Sequence, residues 1–98
     1  MTIAQDQHYH GGDWWAWSVW IEAPDAELDK VQKVTWHLHP TFPDPVREKT
    51  NRSEKFRLDT AGWGGFKVRA DVTMKDGSTV KLSHQLELTY TEGRPSRG

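Results

Sequence analysis

The chain has 98 residues, enough for one domain with a single core. Hydrophobic residues make up only 35%, but six Trp offset part of that deficit, since each ring buries on the order of 200 Å². The 13 basic and 14 acidic residues leave a net charge of -1 and no polybasic run, which argues against direct nucleic-acid binding, and the lack of Cys excludes disulfides and thiolate zinc sites.

Residues 1–12 are polar and unpatterned and are expected to form a flexible N-terminal arm. They carry no basic and apolar leader pattern, and no apolar run in the chain approaches the roughly 18 residues of a membrane span, so no membrane contact is expected of this segment. These features are compatible with a cytoplasmic chain, or a nuclear one in a eukaryote. Residues 15–21 alternate, with Trp15, Trp17, Val19 and Ile21 on one face and Ala16, Ser18 and Trp20 on the other, the period of a strand. Pro24 and Asp25 then mark a turn.

Residues 31–39 predict a second strand, with Val34, Trp36 and Leu38 inward. Pro40, Pro43 and Pro45 end any ladder because each lacks an N–H donor, and residues 44–54 read as a long polar loop. A short strand is expected over 55–59, with Phe56 and Leu58 inward. Residues 60–65 hold three glycines around Trp63, a tight turn. Residues 66–74 and 80–90 alternate again and are joined by Asp76-Gly77, a strong hairpin signal. Residues 93–98 are expected to be a disordered C-terminal tail. Short strands with one apolar face and no helical periodicity predict an all-β fold, an antiparallel β-sandwich.

Several chemistries can be weighed on these residues. His8 and His10, like His37 and His39, are two apart, so each pair shares one face of a strand and could hold a metal; surface and loop histidines are the simpler reading. No Gly-x-Ser-x-Gly elbow and no glycine loop leading into a helix is present, so neither acyl-transfer catalysis nor phosphate binding is expected, and no cofactor is implied. Trp14 and Trp20 could stack on sugar rings, which keeps a carbohydrate or small-ligand module, or an adaptor domain, as an alternative.

Two short motifs carry more. Leu38-His39-Pro40-Thr41-Phe42 ends one strand, and Gly62-Trp63-Gly64-Gly65-Phe66 precedes another. If Phe42 and Trp63 face each other across the end of the sandwich, they form a slot for a flat group, with Thr41 and bare glycine backbone as its polar contacts. The same rings could instead plug the end of the core.

The two motifs in this order, with Trp17-Ser18-Val19-Trp20-Ile21 upstream and the alternating residues 80–90 downstream, resemble the YEATS domain family over residues 13–92. The Trp-dense opening and compact loops resemble a prokaryotic member of it. The resemblance implies an immunoglobulin-like sandwich of about seven or eight strands. It also implies a non-enzymatic module that reads acylated lysine, acetyl or crotonyl in type, on a peptide or protein. By motif position, Phe42 and Trp63 would sandwich the acyl-amide. Thr41 would contact the amide through its hydroxyl, and the Trp63 backbone N–H would bond its oxygen. His39 would support Thr41, while Gly62, Gly64 and Phe66 would shape the wall. Where eukaryotic members carry a further aromatic, this chain has Asp13 beside Trp14, so these two are the candidates for the pocket mouth. Oligomeric state is left open by the sequence.

Overall fold

The computed structural model describes residues 1–91 and 93–95. The alternation of residues 15–21 becomes a strand because it buries two indoles and two branched aliphatic side chains on one side: Trp15, Trp17, Val19 and Ile21 are all buried, while Trp14 on the opposite face is 47% exposed. Seven strands form in all: β1 (Thr2–Gly11), β2 (Trp14–Glu22), β3 (Val31–His37), β4 (Val46–Lys49), β5 (Leu58–Gly62), β6 (Lys67–Met74) and β7 (Thr79–Gln85). They make two antiparallel sheets, ordered β1-β2-β5 and β4-β3-β6-β7, that pack as an immunoglobulin-like sandwich. The core lies between them, around Trp15, Trp17, Trp36, Phe56 and Leu58.

Five expectations are corrected. Residues 1–12 are not a free arm: β1 pairs with β2 from Thr2↔Glu22 to Gly11↔Trp14. Its inward positions lie opposite Ile21, Val19, Trp17 and Trp15 and are occupied by Ile3, Gln5, Gln7 and Tyr9, so apolar alternation is interrupted by two amides. Those amides serve as rungs. Gln5 Nε2 donates to the Glu87 carbonyl at 2.7 Å, and Gln5 Oε1 accepts from the Glu87 N–H at 3.1 Å. Gln7 Nε2 donates to Thr89 Oγ1 at 2.6 Å and Gln7 Oε1 accepts from the Thr89 N–H at 2.7 Å. Strand β7 accordingly stops at Gln85, short of the expected residue 90, and the segment that follows is held to β1 by side chains while Leu86 and Leu88 fill the core.

The polar stretch 44–54 contains edge strand β4 and a short 3-10 turn, Arg52–Glu54. Residues 55–59 are not a strand throughout. Lys55 and Phe56 take left-handed φ values of 54° and 59°, which places the Phe56 ring in the core and its carbonyl 2.9 Å from Trp36 Nε1, and β5 begins only at Leu58. The C-terminal tail is folded back in part: the Tyr90 N–H bonds the Arg94 carbonyl at 2.8 Å, and Thr89 bridges to Pro95. The rest of that expected tail, residues 96–98, lies outside the described residues. The turn at Pro24 contains one helical turn, α1 (Asp25–Leu28). The Asp76-Gly77 hairpin forms as expected, with Gly77 at φ 91° and the Met74 N–H on the Ser78 carbonyl at 2.8 Å.

Candidate ligand cavity

The segment after β3 turns sharply because His39 accepts twice within it: its carbonyl takes the Phe42 N–H at 3.0 Å, and its Nδ1 takes the Thr41 N–H at 3.3 Å. Since that N–H makes Nδ1 an acceptor, the neutral imidazole carries its proton on Nε2. The Thr41 hydroxyl, 2.9 Å from the same Nδ1, then donates to it and keeps its oxygen lone pairs for an incoming N–H. The proline-rich remainder of the loop is pinned from β4. Arg47 donates to the Pro43 carbonyl and the Asp44 carbonyl, both at 3.1 Å, and the Leu38 N–H closes the base on Pro45 at 2.7 Å.

The second wall begins where β5 ends. Gly62 pairs with Trp15 of β2, so its α-carbon faces inward over the core. A Cβ there would stand 3.4 Å from Phe42 Cζ and 3.6 Å from Trp17 Nε1, ordinary contact distances, so Phe42 packs directly over the glycine backbone. The glycine-rich turn then carries Trp63 out to 62% exposure before Phe66 turns back to the core, where its carbonyl is held by the Leu86 N–H at 2.8 Å.

Together these segments enclose a cavity of about 240 Å³ lined by His39, Thr41, Phe42, Gly62, Trp63, Gly64, Gly65 and Phe66. The seven residues picked from the two motifs, His39, Thr41, Phe42, Gly62, Trp63, Gly64 and Phe66, are all in that lining. Phe42 and Phe66 meet at 5.5 Å between ring centroids, and His39 packs against Phe66 at 6.1 Å. Trp63 makes no ring contact with Phe42 or any other described aromatic, and both residues line the cavity. The lining holds rings, one hydroxyl, one imidazole and bare backbone, with no Lys, Arg, Asp or Glu. Such a cavity suits a flat, uncharged group bearing an N–H and a carbonyl.

The two residues expected at the mouth are not there. Asp13, at φ 56° in the turn between β1 and β2, is tied elsewhere: its carboxylate accepts from the Tyr90 hydroxyl at 2.5 Å, and its N–H donates to the Tyr9 hydroxyl at 3.2 Å. That carboxylate pushes the Tyr90 phenol above its ordinary range. Trp14 projects from the outer face of its sheet because its neighbour Trp15 points in, so neither residue lines the cavity.

Sequence reading missed two participants. Gly65 completes the lining, and Trp17 lies beneath it, its ring 5.7 Å from Phe66 and 6.2 Å from Phe42. The alternation marks Trp17 as buried, but nothing in it says which cavity lies above.

The remaining histidines are dispersed. His37 pairs with Asp71 at 2.9 Å on the outer face of the four-stranded sheet, and the His8 and His10 rings lie 5.3 Å apart on β1. No group of three or more His, Cys, Asp or Glu is placed to hold a metal among the described residues. His84 is half-buried with Nε2 2.6 Å from Gln5 Oε1. Of the tryptophans considered for sugar stacking, Trp20 is covered by the Arg57 guanidinium at 5.3 Å.

Relatives of the chain share this arrangement of sheets. Among solved structures it superposes on the yeast AF-9 homolog Yaf9 with a TM-score of 0.72 at 19% identity, over 98% of this chain and 77% of that one. It also superposes on the Yaf9 YEATS domain bound to H3K27ac, TM-score 0.70 at 22% identity, over 96% of this chain and 73% of that one. A third match is the Yaf9 YEATS domain recognizing an H3K122suc peptide, TM-score 0.68 at 23% identity, over 88% and 68%. In sequence it is 34% identical to the Protein AF-9 homolog of Eremothecium gossypii, over 99% of this chain and 47% of that protein. It is 31% identical to Transcription initiation factor TFIID subunit 14 of Schizosaccharomyces pombe, over 87% of this chain and 36% of that protein. The chain thus spans less than half the length of these curated relatives. The prokaryotic YEATS domain family matches residues 15–87, from the first core tryptophan of β2 past both cavity motifs to the segment clasped by β1, and the chain belongs to that family.

Proposed function

We propose that this domain is a non-enzymatic module that binds an acylated lysine side chain of a peptide or protein in the 240 Å³ cavity. The observation that carries the reading is the cavity beside the exposed Trp63, walled by Phe42 and Phe66 and equipped with a free acceptor on Thr41. In this reading the acyl-amide slides between Phe42 and Trp63. Its N–H donates to Thr41 Oγ1, and its oxygen accepts from the Trp63 backbone N–H. His39 orients the Thr41 hydroxyl through its Nδ1, and Gly62 and Gly64 let the flat group approach the backbone. Acylation matters because it removes the ammonium charge, which this uncharged lining would not compensate. The absence of Lys and Arg from the lining also favours a peptide over a nucleic acid as partner.

Titration of acetyl-lysine, crotonyl-lysine and unmodified lysine peptides, followed by Trp fluorescence, tests this. The acylated peptides are expected to bind and to be recovered chemically intact, and the unmodified one is not expected to bind. Trp63→Ala removes a ring that is 62% exposed, so stability should change by no more than about 0.5 kcal/mol while binding is lost. Undiminished binding by that folded variant would exclude the cavity as the site.

A further inference from the structure

Strand β6 sends Val68, Ala70 and Val72 into the core, so the residues between them face outward with their neighbours on β3 and β7. The register sets these outward residues in rows. Arg69 lies between His37 and Ser83, and Asp71 lies between Thr35 and Lys81. In the row before them, Lys67 lies opposite Gln85. His37, Arg69, Asp71, Lys81, Leu82 and Ser83 line a depression of about 400 Å³ that shares no residue with the cavity described above.

The charges on this face are unbalanced. Asp71 stands directly opposite Lys81, yet its carboxylate is engaged by His37 Nε2 at 2.9 Å and makes no ion pair with Lys81. Arg69 is the one arginine without a partner among the described residues. Arg47 is bonded to carbonyls, Arg52 and Arg57 to carboxylates, and Arg94 lies over the Tyr90 ring. Lys67, Arg69 and Lys81 against Asp71 leave an excess of two positive charges, in a chain whose net charge is -1. Arg69 and Lys81 are diagonal neighbours, about 7–8 Å apart at the backbone, so their long side chains can converge on one group. The planar Arg69 fork suits two oxygens of a single ligand, Lys81 adds a point charge, and Ser83 adds a hydroxyl donor.

We propose that the outer face of the four-stranded sheet binds a phosphate monoester between Arg69 and Lys81, with the Ser83 hydroxyl as a further donor. A monoester carries roughly 1.5–2 negative charges near neutral pH and matches the excess, whereas a carboxylate leaves one cation unanswered. Nucleic acid fits less well, since its binders neutralise a row of phosphates and this face offers three cations. On so open a face the affinity is expected in the millimolar range.

A phosphorylated protein side chain and a phosphorylated small molecule present the same group, so the test uses both. A blocked phosphoserine tripeptide, its unphosphorylated counterpart, glycerol 3-phosphate and a single-stranded oligonucleotide are titrated at constant ionic strength into the intact chain, followed by proton–nitrogen correlation spectra. Both monoesters are expected to move the Arg69, Lys81 and Ser83 amides and the Arg69 Nε–H signal, and the unphosphorylated peptide is not. Arg69→Gln and Lys81→Gln should each weaken binding about fivefold or more. Lys75→Gln, at the β6–β7 hairpin, removes an equal charge away from the site and should change nothing. The tighter of the two monoesters identifies the source, and either order supports the proposal. Absence of shifts at tens of millimolar monoester, or an equal loss in Lys75→Gln, overturns it. Oligonucleotide binding that strengthens with length and exceeds that of both monoesters also overturns it. The acyl-lysine reading is untouched by any of these results.

Discussion

Replacing Gly62 by Ala separates fold from function at one atom. Gly62 has no left-handed φ, so alanine can take its backbone conformation without strain. The added methyl would meet Phe42 Cζ at 3.4 Å and Trp17 Nε1 at 3.6 Å, ordinary contact distances. Removing a glycine's freedom from the unfolded chain stabilises by about 0.4–1 kcal/mol, and burying a methyl adds up to about 0.8 kcal/mol. Covering the Trp17 N–H more completely leaves that donor no worse placed than before. A net gain of about 0.5–1.5 kcal/mol is therefore expected, a rise in melting temperature of roughly 2–12 °C for a domain of this size. The same methyl would add bulk at Gly62 and against Phe42, two residues that line the cavity. Forcing an acyl group against it costs about 1–3 kcal/mol, a loss of roughly 5- to 150-fold in affinity. Thermal unfolding by circular dichroism and titration with acylated lysine peptides read the two effects independently. A variant that is destabilised, or one that binds as tightly as the parent, would refute the packing assigned to Gly62.

Three further outcomes follow from the hydrogen-bond pattern. Gln5→Met strips the Glu87 N–H and carbonyl of their partners, and His84 of its own, so urea unfolding should show a loss of about 1–3 kcal/mol, with faster hydrogen exchange at the Glu87 amide. Arg47→Ala frees the Pro43 and Asp44 carbonyls; peptide affinity should fall several-fold, with a stability change of no more than about 1 kcal/mol, and an unchanged affinity would show that the loop is set without Arg47. Asp59 is held below the usual carboxylate range, first by the Ser18 hydroxyl and then by Arg57. Its contribution is thus complete above the ordinary Asp value and is lost as pH falls through the depressed one. The stability gap between the parent and Asp59→Asn, measured by chemical unfolding, should be present near about pH 6 and vanish near about pH 2.

Where a strand buries apolar side chains at every second position, the sequence announces it: Trp15 to Ile21, Val34 to Trp36, and Val68 to Val72 all lie inward as their alternation predicts. Both cavity motifs are legible for a similar reason, since glycine and proline mark where backbone must turn and the aromatic beside them has a single end of the sandwich to occupy. Strand β1 is illegible because Gln5 and Gln7 take inward positions and act as hydrogen-bonding rungs. Strand β4 is hidden because Arg47 and Lys49, opposite Trp36 and Val34, replace the apolar residues an edge strand would otherwise show. Asp13 misleads by position alone: it stands where a ring is expected, and only the partnership with Tyr90 explains its direction.

The clasp between Gln5 and Glu87 joins residues 82 apart. During synthesis, β1 can pair with β2 early, but its inward amides and the Trp15 N–H must wait for residues 87–89 to emerge. Late, distant closure of this kind slows folding and leaves Trp15 and the rungs open to water until nearly all of the domain has left the ribosome. A chain cut just before Leu86 would keep all seven strands and lose the segment that seals them. It should therefore persist as a loosely closed sandwich and be cleared by proteases faster than the intact domain.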